Sequence, residues 1–544
     1  MVGLISLWVL GCTQRTVYEQ TVVEVDLMPD AQYVRRLSLD LRGTVPSPQE
    51  VEAFDAVNPT ETIENFMTDD GFGRRVREIY APIYRTITDQ YSLNGSDFLF
   101  DDEVAFRRAI GEEPLRLLSY VAEHDLPWTT IVTADYTMAN GVLSSIFPVR
   151  STTENNDTSY VDEWLPATYV DGRPMAGVLS ANALWWRFGS TDTNANRMRA
   201  NVASTILLCN NYLSRPISFD RDTNLLDDEA MQDAINQDPA CVNCHRTLDP
   251  LAAHFFGFWA YQSDSWLESS QYHADRERLW QTYLDTAPEY FGTPSAGFSS
   301  LGDLIASDSR FPNCTTEQVT AALLQQTLDF SDAIRLVKHR EAFLQSGLNL
   351  KALIASIVQS DEYRAGKWND SVDVQNRKLL SLPQLVSSIE ALTGFRWTYD
   401  DFDMFGNDIV GLRSLAGGID GRSAGQEARV PNATMILVHG LLAEQASAYR
   451  VQQEVAQPVS ERQFFQFIDL EEDIDQDQQT LLSAQQQIQY LHSLILTQAV
   501  EVDGVAVAAG LDLWREIYRL TGDAAEAWTV VSTAILRDPS YLLY

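Results

Sequence analysis

The chain has 544 residues, of which 76 are acidic and 39 basic, so its formal net charge at neutral pH is −37. This excess of acid argues against nucleic acid or an anionic membrane surface as a partner and favours a cationic partner protein or a salty habitat. The length exceeds what one hydrophobic core holds, and about two to four domains are expected.

The amino-terminal residues 1–11 form a short apolar run that predicts a signal peptide. Gly11 and Cys12 end this run in the manner of a lipobox, which implies cleavage before Cys12 and acylation of its thiol. The run is too short to cross ~30 Å of hydrocarbon, so a lipid anchor is predicted in place of a membrane span. Thr13 and Gln14 include no retaining aspartate, and we expect a periplasmic or outer-membrane lipoprotein with residues 12–25 as a tether. A plain secretory signal is the alternative.

The remainder of the chain is predicted to be mainly α, with multi-helical bundles and little strand, because apolar residues recur at spacings of three and four. The predicted helical segments are 321–330, 348–358, 382–392, 481–496 and 525–536. A polar helix is predicted over residues 230–238, directly before Pro239. Thr393 with Gly394, and Asp538 with Pro539, are predicted helix ends.

Cys241, Cys244 and His245 form a CxxCH motif, the spacing of c-type haem attachment. One helical turn aligns the two sulfurs along one edge of a porphyrin, and the following imidazole can then ligate iron. The motif predicts one covalent haem c, held through Cys241 and Cys244, with His245 as the iron ligand.

Two other chemistries remain open for this motif. A zinc site would need a fourth ligand from a second knuckle, and the other three cysteines are isolated in the sequence. A redox dithiol would need a preceding strand and a βαβ context, whereas a polar helix is predicted there.

The residues after the motif provide a candidate pocket. Pro250 could present its backbone carbonyl to the N–H of the His245 imidazole and orient the ring. Phe255, Phe256, Phe258, Trp259 and Tyr261 follow, and they could either wall a porphyrin or form an ordinary core.

The sixth iron ligand would decide the mechanism. A Met or a second His there would give an electron carrier, whereas an open site would give an iron that reacts with peroxide or oxygen. The candidates are Met175, Met198, His254 and His273, and the sequence does not choose among them.

Cys209 and Cys314 remain once Cys12 is assigned to lipid and the motif cysteines to haem. Export permits disulfides, so these two form a candidate disulfide whose loop contains the haem motif. Two buried free thiols are the alternative.

Several segments resemble, in order, the planctomycete-type cytochrome c family of exported multidomain proteins of unknown function. They are 131–143 (IVTADYTMANGVL), Arg197–Leu208 (RMRANVASTILL), 238–251 (DPACVNCHRTLDPL) and 343–364. Residues 35–54 (RRLSLDLRGTVPSPQEVEAF) are similar to the amino-terminal domain that accompanies such cytochromes. The run after Leu251 departs from the family pattern. The resemblance implies an all-helical, exported monohaem cytochrome and no particular substrate.

These observations predict a domain order of signal peptide, tether, an amino-terminal helical domain (26–125), a cytochrome c-like haem domain (126–365) and a carboxy-terminal helical domain (366–544). The favoured function is electron transfer at the cell envelope to a redox partner protein, with the membrane reached only through the lipid anchor. A haem-dependent oxidase or peroxidase and a non-haem surface scaffold are the alternatives.

Overall fold

The computed structural model describes residues 26–544 except for 90, 92–93, 99, 101, 152–162, 216–227, 330–331, 368–376, 400–401, 407 and 409–410. It is 61% helical with 5% strand, which confirms the prediction of a mainly α fold. The signal peptide, the tether and Cys12 lie outside the described residues.

The amino-terminal helices are α1 (Asp30–Leu41), α2 (Pro48–Ala53), α3 (Thr60–Phe66), α4 (Gly71–Tyr84) and α5 (Glu103–Glu123). A capping box begins α2, because the Ser47 hydroxyl accepts from the Glu50 N–H while the Glu50 carboxylate accepts from the Ser47 N–H. The Asp102 side chain caps α5 by accepting from the backbone N–H groups of Val104 and Ala105. Helices α4 and α5 then pack along each other.

The middle of the chain contains α6 (Thr130–Thr133), α7 (Gly141–Ile146), α8 (Asn182–Arg187), α9 (Arg197–Leu208), α10 (Asp228–Gln237), α11 (Pro239–Ala252), α12 (Trp266–Ser269), α13 (Trp280–Tyr283), α14 (Phe298–Ala306), α15 (Arg310–Leu324), α16 (Ala333–Gln345), α17 (Leu350–Val358) and α18 (Asp361–Arg364). Helix α10 confirms the predicted polar helix before Pro239. Helix α17 confirms the periodicity over 348–358, but the prediction over 321–330 is wrong after Leu324. There Gln325 adopts a left-handed conformation (φ 52°) and ends α15.

The carboxy-terminal helices are α19 (Leu382–Thr393), α20 (Leu412–Leu415), α21 (Ala433–Val455), α22 (Gln478–Leu496), α23 (Val505–Thr521), α24 (Ala524–Leu536) and α25 (Pro539–Leu542). The predicted segments 382–392, 481–496 and 525–536 are thus confirmed within α19, α22 and α24. Helix α19 ends at Gly394, whose φ of 73° suits a residue without a Cβ. Asp538 caps α25 and Pro539 is its first residue, which separates α25 from α24.

The strands that the structure describes are short and pair in antiparallel fashion. They are β1 (Asp26–Leu27), β2 (Thr137–Ala139), β3 (Val149–Ser151), β4 (Leu165–Tyr169), β5 (Glu289–Tyr290), β6 (Thr293–Pro294), β7 (Ala365–Lys367), β8 (Thr398–Tyr399) and β9 (Phe402–Asp403). The largest sheet has the order β2-β4-β3, with Thr137 opposite Ala167 and Val149 opposite Tyr169. The other pairs are β1 with β7, β5 with β6, and β8 with β9.

Buried apolar side chains of the described residues form three cores. The first core unites helices from α1 to α18 and includes Phe72, Trp128 and Phe255. The second core lies among α19 and α21–α25. The third core, around Phe106, covers the β2-β4-β3 sheet. The first core contains residues from both sides of position 125, so this boundary is not marked by a separate core. The predicted domain boundaries stay predictions.

Helix α1 contributes to two of these cores. Its Tyr33 and Leu37 belong to the first core, whereas Leu39 belongs to the second. Buried arginines extend the contact, because Arg35 donates to the Ile495 carbonyl (2.8 Å) and Arg36 donates to the Tyr363 carbonyl (2.9 Å). Helix α1 therefore joins the amino-terminal helices to the carboxy-terminal ones.

Candidate functional site

The CxxCH motif occupies the first two turns of α11. Pro239 begins this helix, and the Asp238 side chain caps it by accepting from the Ala240 N–H at 2.8 Å. Residues three apart lie on the same side of a helix, so Cys241 and Cys244 share one face of α11. Both cysteines are free thiols.

The two thiols differ in environment. Cys244 is 8% exposed and belongs to the first core, while Cys241 is half-buried. Burial, followed by the Asp238 carboxylate, raises the pKa of the Cys241 thiol above its ordinary value. Reactive dithiols have a lowered thiol pKa, so this environment does not favour the redox-dithiol alternative.

His245 is oriented by a carboxylate one turn further along α11. The Nδ1 atom of His245 lies 2.9 Å from Oδ1 of Asp249. Although burial raises the pKa of Asp249, hydrogen bonds from Arg197 and then His245 bring it below its ordinary value. The ionised carboxylate can only accept, so Nδ1–H of His245 donates, which leaves Nε2 as the ring nitrogen that could ligate a metal.

Arg197, at the start of α9, completes this arrangement. Its Nε and Nη2 atoms donate to the two oxygens of Asp249 at 2.7 and 2.9 Å, which is the paired geometry of a strong arginine–carboxylate contact. Further along α11, the Tyr212 and Thr247 hydroxyls are hydrogen-bonded at 2.9 Å. Helices α9 and α11 pack against each other, and Arg197 of α9 reaches Asp249 of α11 beside His245.

The Pro250 carbonyl does not have the role predicted for it, which was to accept a hydrogen bond from the His245 imidazole. It lies 3.1 Å from Nδ1 of His254, and the Asp249 carboxylate is the partner of His245 instead. The reason is geometric, because a carbonyl inside a helix points toward the helix carboxy terminus and cannot turn back to a residue one turn earlier. A signal for Asp249 was present, namely an acidic residue four positions after the histidine.

The candidates for the sixth ligand lie outside α11. His254 is buried, with Nε2 2.8 Å from the Ser295 hydroxyl, and burial lowers its pKa to about 4. With Nδ1 also bonded, it has the contacts of a neutral core histidine. Nε2–H of His273 donates to the Glu268 carbonyl at 3.0 Å. Met175 packs against the third core, and Met198 is 38% exposed on α9.

Cys209 and Cys314 are joined by a disulfide in the structure, with an S–S distance of 2.11 Å. Cys209 follows the last residue of α9, and Cys314 lies in α15. The bridge therefore fixes the end of the same helix whose first residue, Arg197, contacts Asp249.

The aromatic residues after the motif pack against other rings of the chain. Phe255, Phe256, Phe258 and Trp259 are buried, whereas Tyr261 is 41% exposed. Their ring partners are Trp185, Tyr272, Tyr283 and Phe298. These contacts are those of an ordinary aromatic core, one of the two interpretations of this segment.

Within the described part of the chain, no group of three or more His, Cys, Asp or Glu side chains is arranged to hold a metal ion. No helix in that part has both the length and the apolar character that a membrane span requires.

Comparison with known protein families identifies a match in the amino-terminal part of the chain. Residues 13–102 match PSCyt2, Protein of unknown function (DUF1549). This match covers α1–α4 and contains the 35–54 segment, so it confirms the amino-terminal part of the resemblance and does not extend to the CxxCH motif. No curated protein and no solved structure matches the chain.

Proposed function

We propose that this protein is an exported monohaem c-type cytochrome, anchored by lipid, that transfers electrons at the cell envelope. One observation carries the proposal. Two free thiols lie one turn apart on α11, directly before a histidine whose Nδ1–H is bonded to the Asp249 carboxylate.

The donor set fits a covalently attached haem. Cys241 and Cys244 would each add a thiol across a vinyl group, with sulfur bonding one carbon and the thiol hydrogen passing to the other, so the step needs no oxidant. His245 would ligate the iron through Nε2, because Nδ1 is already bonded to Asp249. When bound, the haem supplies one-electron chemistry.

The surroundings of the two thiols suit electron exchange. Cys244 is buried in the first core, which would keep one edge of the group away from water. Cys241 is half-exposed, which would leave the other attachment point near solvent and within reach of a partner. With a formal net charge of −37, a cationic redox protein is the partner that long-range electrostatics would attract.

Covalent haem attachment tests the proposal directly. The protein would be expressed together with a cytochrome c maturation system, and its haem would be identified by a pyridine haemochrome spectrum after acid–acetone extraction. We expect a c-type spectrum in the wild type and none in the Cys241→Ala/Cys244→Ala variant. Cys209→Ala/Cys314→Ala is the matched control, since it removes two other cysteines and should keep covalent haem. Covalent haem in the Cys241→Ala/Cys244→Ala variant would contradict the proposal.

Carbon monoxide distinguishes a carrier from a haem enzyme. A ferrous spectrum unchanged by carbon monoxide would indicate that the chain supplies a sixth ligand and would favour electron transfer. A shifted spectrum would indicate an open coordination site and would favour an oxidase or peroxidase.

A further inference from the structure

His245, Asp249 and Arg197 form a line of three hydrogen-bonded side chains that connects α11 to α9. Asp249 Oδ1 lies 2.9 Å from Nδ1 of His245 and 2.7 Å from Nε of Arg197. The side chains of His245, Asp249 and Arg197 are 23%, 11% and 14% exposed, respectively. Water therefore has limited access to these contacts, and their electrostatic effect is larger than at a free surface.

The charge in this line lies on the side of His245 away from Nε2. A hydrogen bond to a carboxylate pulls the Nδ1 proton away from the ring and makes Nε2 a stronger electron donor. A backbone carbonyl at the same position would be a neutral acceptor and would have a weaker effect. Arg197 opposes part of the negative charge and holds both carboxylate oxygens in place.

We infer that Asp249 is a positioning residue that strengthens His245 as an iron ligand and stabilises ferric over ferrous haem, and that Arg197 limits this effect. The inference rests on the proposed haem function and adds to it a determinant of the reduction potential. Its physical basis is that a fixed negative charge behind the ligand favours the more positive oxidation state of the metal.

The two polar partners should have opposite effects on the potential. Asp249→Asn keeps the size of the side chain and removes its charge, so we expect the preference for ferric haem to fall at least tenfold, which corresponds to a potential higher by about 59 mV. Arg197→Gln removes the opposing positive charge while Asp249 stays within reach of His245, so we expect the potential to fall. A purely structural role would open the site to water in both variants and would move both potentials in the same direction.

Thr247→Val is the matched control. Thr247 lies on α11, and its hydroxyl is hydrogen-bonded to the Tyr212 hydroxyl and donates to the Cys244 backbone carbonyl, so the variant removes polar contacts of the same helix while leaving those of His245 in place. The experiment is a spectroelectrochemical titration of purified holoprotein, after each variant has been shown by its haemochrome spectrum to carry one covalent haem. We expect the control to titrate at the wild-type potential.

The outcomes are separable. An unchanged potential in Asp249→Asn, or shifts of the same sign in Asp249→Asn and Arg197→Gln, would overturn the role of Asp249 while leaving the cytochrome proposal intact. If Asp249→Asn does not retain haem, a fall in the potential of Arg197→Gln still supports the inference and a rise overturns it. A wild-type protein without covalent haem would overturn both, and the haemochrome spectrum would show this before any titration.

Discussion

The buried ion pair between Asp40 of α1 and Lys378 should contribute strongly to the stability of the contact between α1 and the segment that leads into α19. The Lys378 and Asp40 side chains are 3% and 2% exposed, respectively. The Lys378 ammonium contacts the Asp40 carboxylate and donates to the Leu323 carbonyl at 2.9 Å. Asp40 also accepts from the hydroxyls of Tyr363 (2.6 Å) and Tyr544 (2.7 Å). Burial lowers the pKa of Lys378 to about 7, although Asp40 raises it.

Asp40→Asn should therefore be strongly destabilising. Lys378 would either remain as a buried ammonium without a counterion or lose its proton, and both outcomes cost free energy. Breaking a buried pair by removing one partner costs about 3–5 kcal/mol, whereas removing both charges is often close to neutral. We thus expect Asp40→Asn to lower the free energy of unfolding by about 3–5 kcal/mol, and Asp40→Asn/Lys378→Met to recover most of this loss.

Urea unfolding at pH 6, followed by tryptophan fluorescence, measures both effects. Asp30→Asn is the matched control, because Asp30 lies in the first turn of the same helix and is exposed. Its loss should cost no more than about 1 kcal/mol through the helix dipole. If Asp40→Asn cost no more than Asp30→Asn, or if Asp40→Asn/Lys378→Met were no more stable than Asp40→Asn, the pair would not act as described.

The other predictions concern acid stability, the disulfide and the anchor. Burial lowers the pKa of His254 and of His439 to about 4 from an ordinary 6.5. At these two residues the unfolded chain binds more protons between these values, so each should cost at most about 2 kcal/mol of stability between pH 7 and pH 5. Burial also raises the pKa of Glu113 and of Glu427 to about 7, and these carboxyls act in the opposite direction. The test is therefore the difference between the wild type and His439→Gln: urea midpoints at the two pH values should show less loss, or more gain, of stability toward pH 5 in the variant, and the same pH dependence in both proteins would contradict this. The bridge between Cys209 and Cys314 closes a loop with a sequence separation of 105, so Cys209→Ala/Cys314→Ala should lower stability by about 2–5 kcal/mol, and an unchanged urea midpoint would argue against a formed bridge. Cys12→Ser should move the protein from the membrane to the soluble fraction, and continued sedimentation with membranes would exclude the lipid anchor.

The predictable part of the fold is the part that local periodicity determines. Helices α17, α19, α22 and α24 follow from apolar residues at spacings of three and four, and Gly394 ends α19 for a local conformational reason. The helix predicted over 321–330 failed after Leu324, where Gln325 turns the chain. The Gln325 side-chain amide donates to the Leu379 carbonyl and accepts from the Leu379 N–H. A partner 54 residues further along the chain leaves no periodic signal.

The candidate site likewise has residues that local spacing predicts and one that only tertiary packing brings in. The spacing of Cys241, Cys244 and His245 is sufficient to place them on one helix. Asp249 lies within the same helix and could have been found from its separation of four residues. Arg197 lies 52 residues before Asp249, and only the packing of α9 on α11 brings the two together.

Because α1 is shared between two cores, its sequence is not free to change independently. Asp40 and Lys378 are 338 positions apart, and Arg35 reaches a carbonyl 460 positions away. A substitution at Asp40 would be tolerated in evolution mainly when Lys378 changes with it, since either charge alone is costly. Homologues should therefore show correlated changes between α1 and the carboxy-terminal helices, and an amino-terminal segment exchanged between two relatives should function poorly unless its distant partners are exchanged as well.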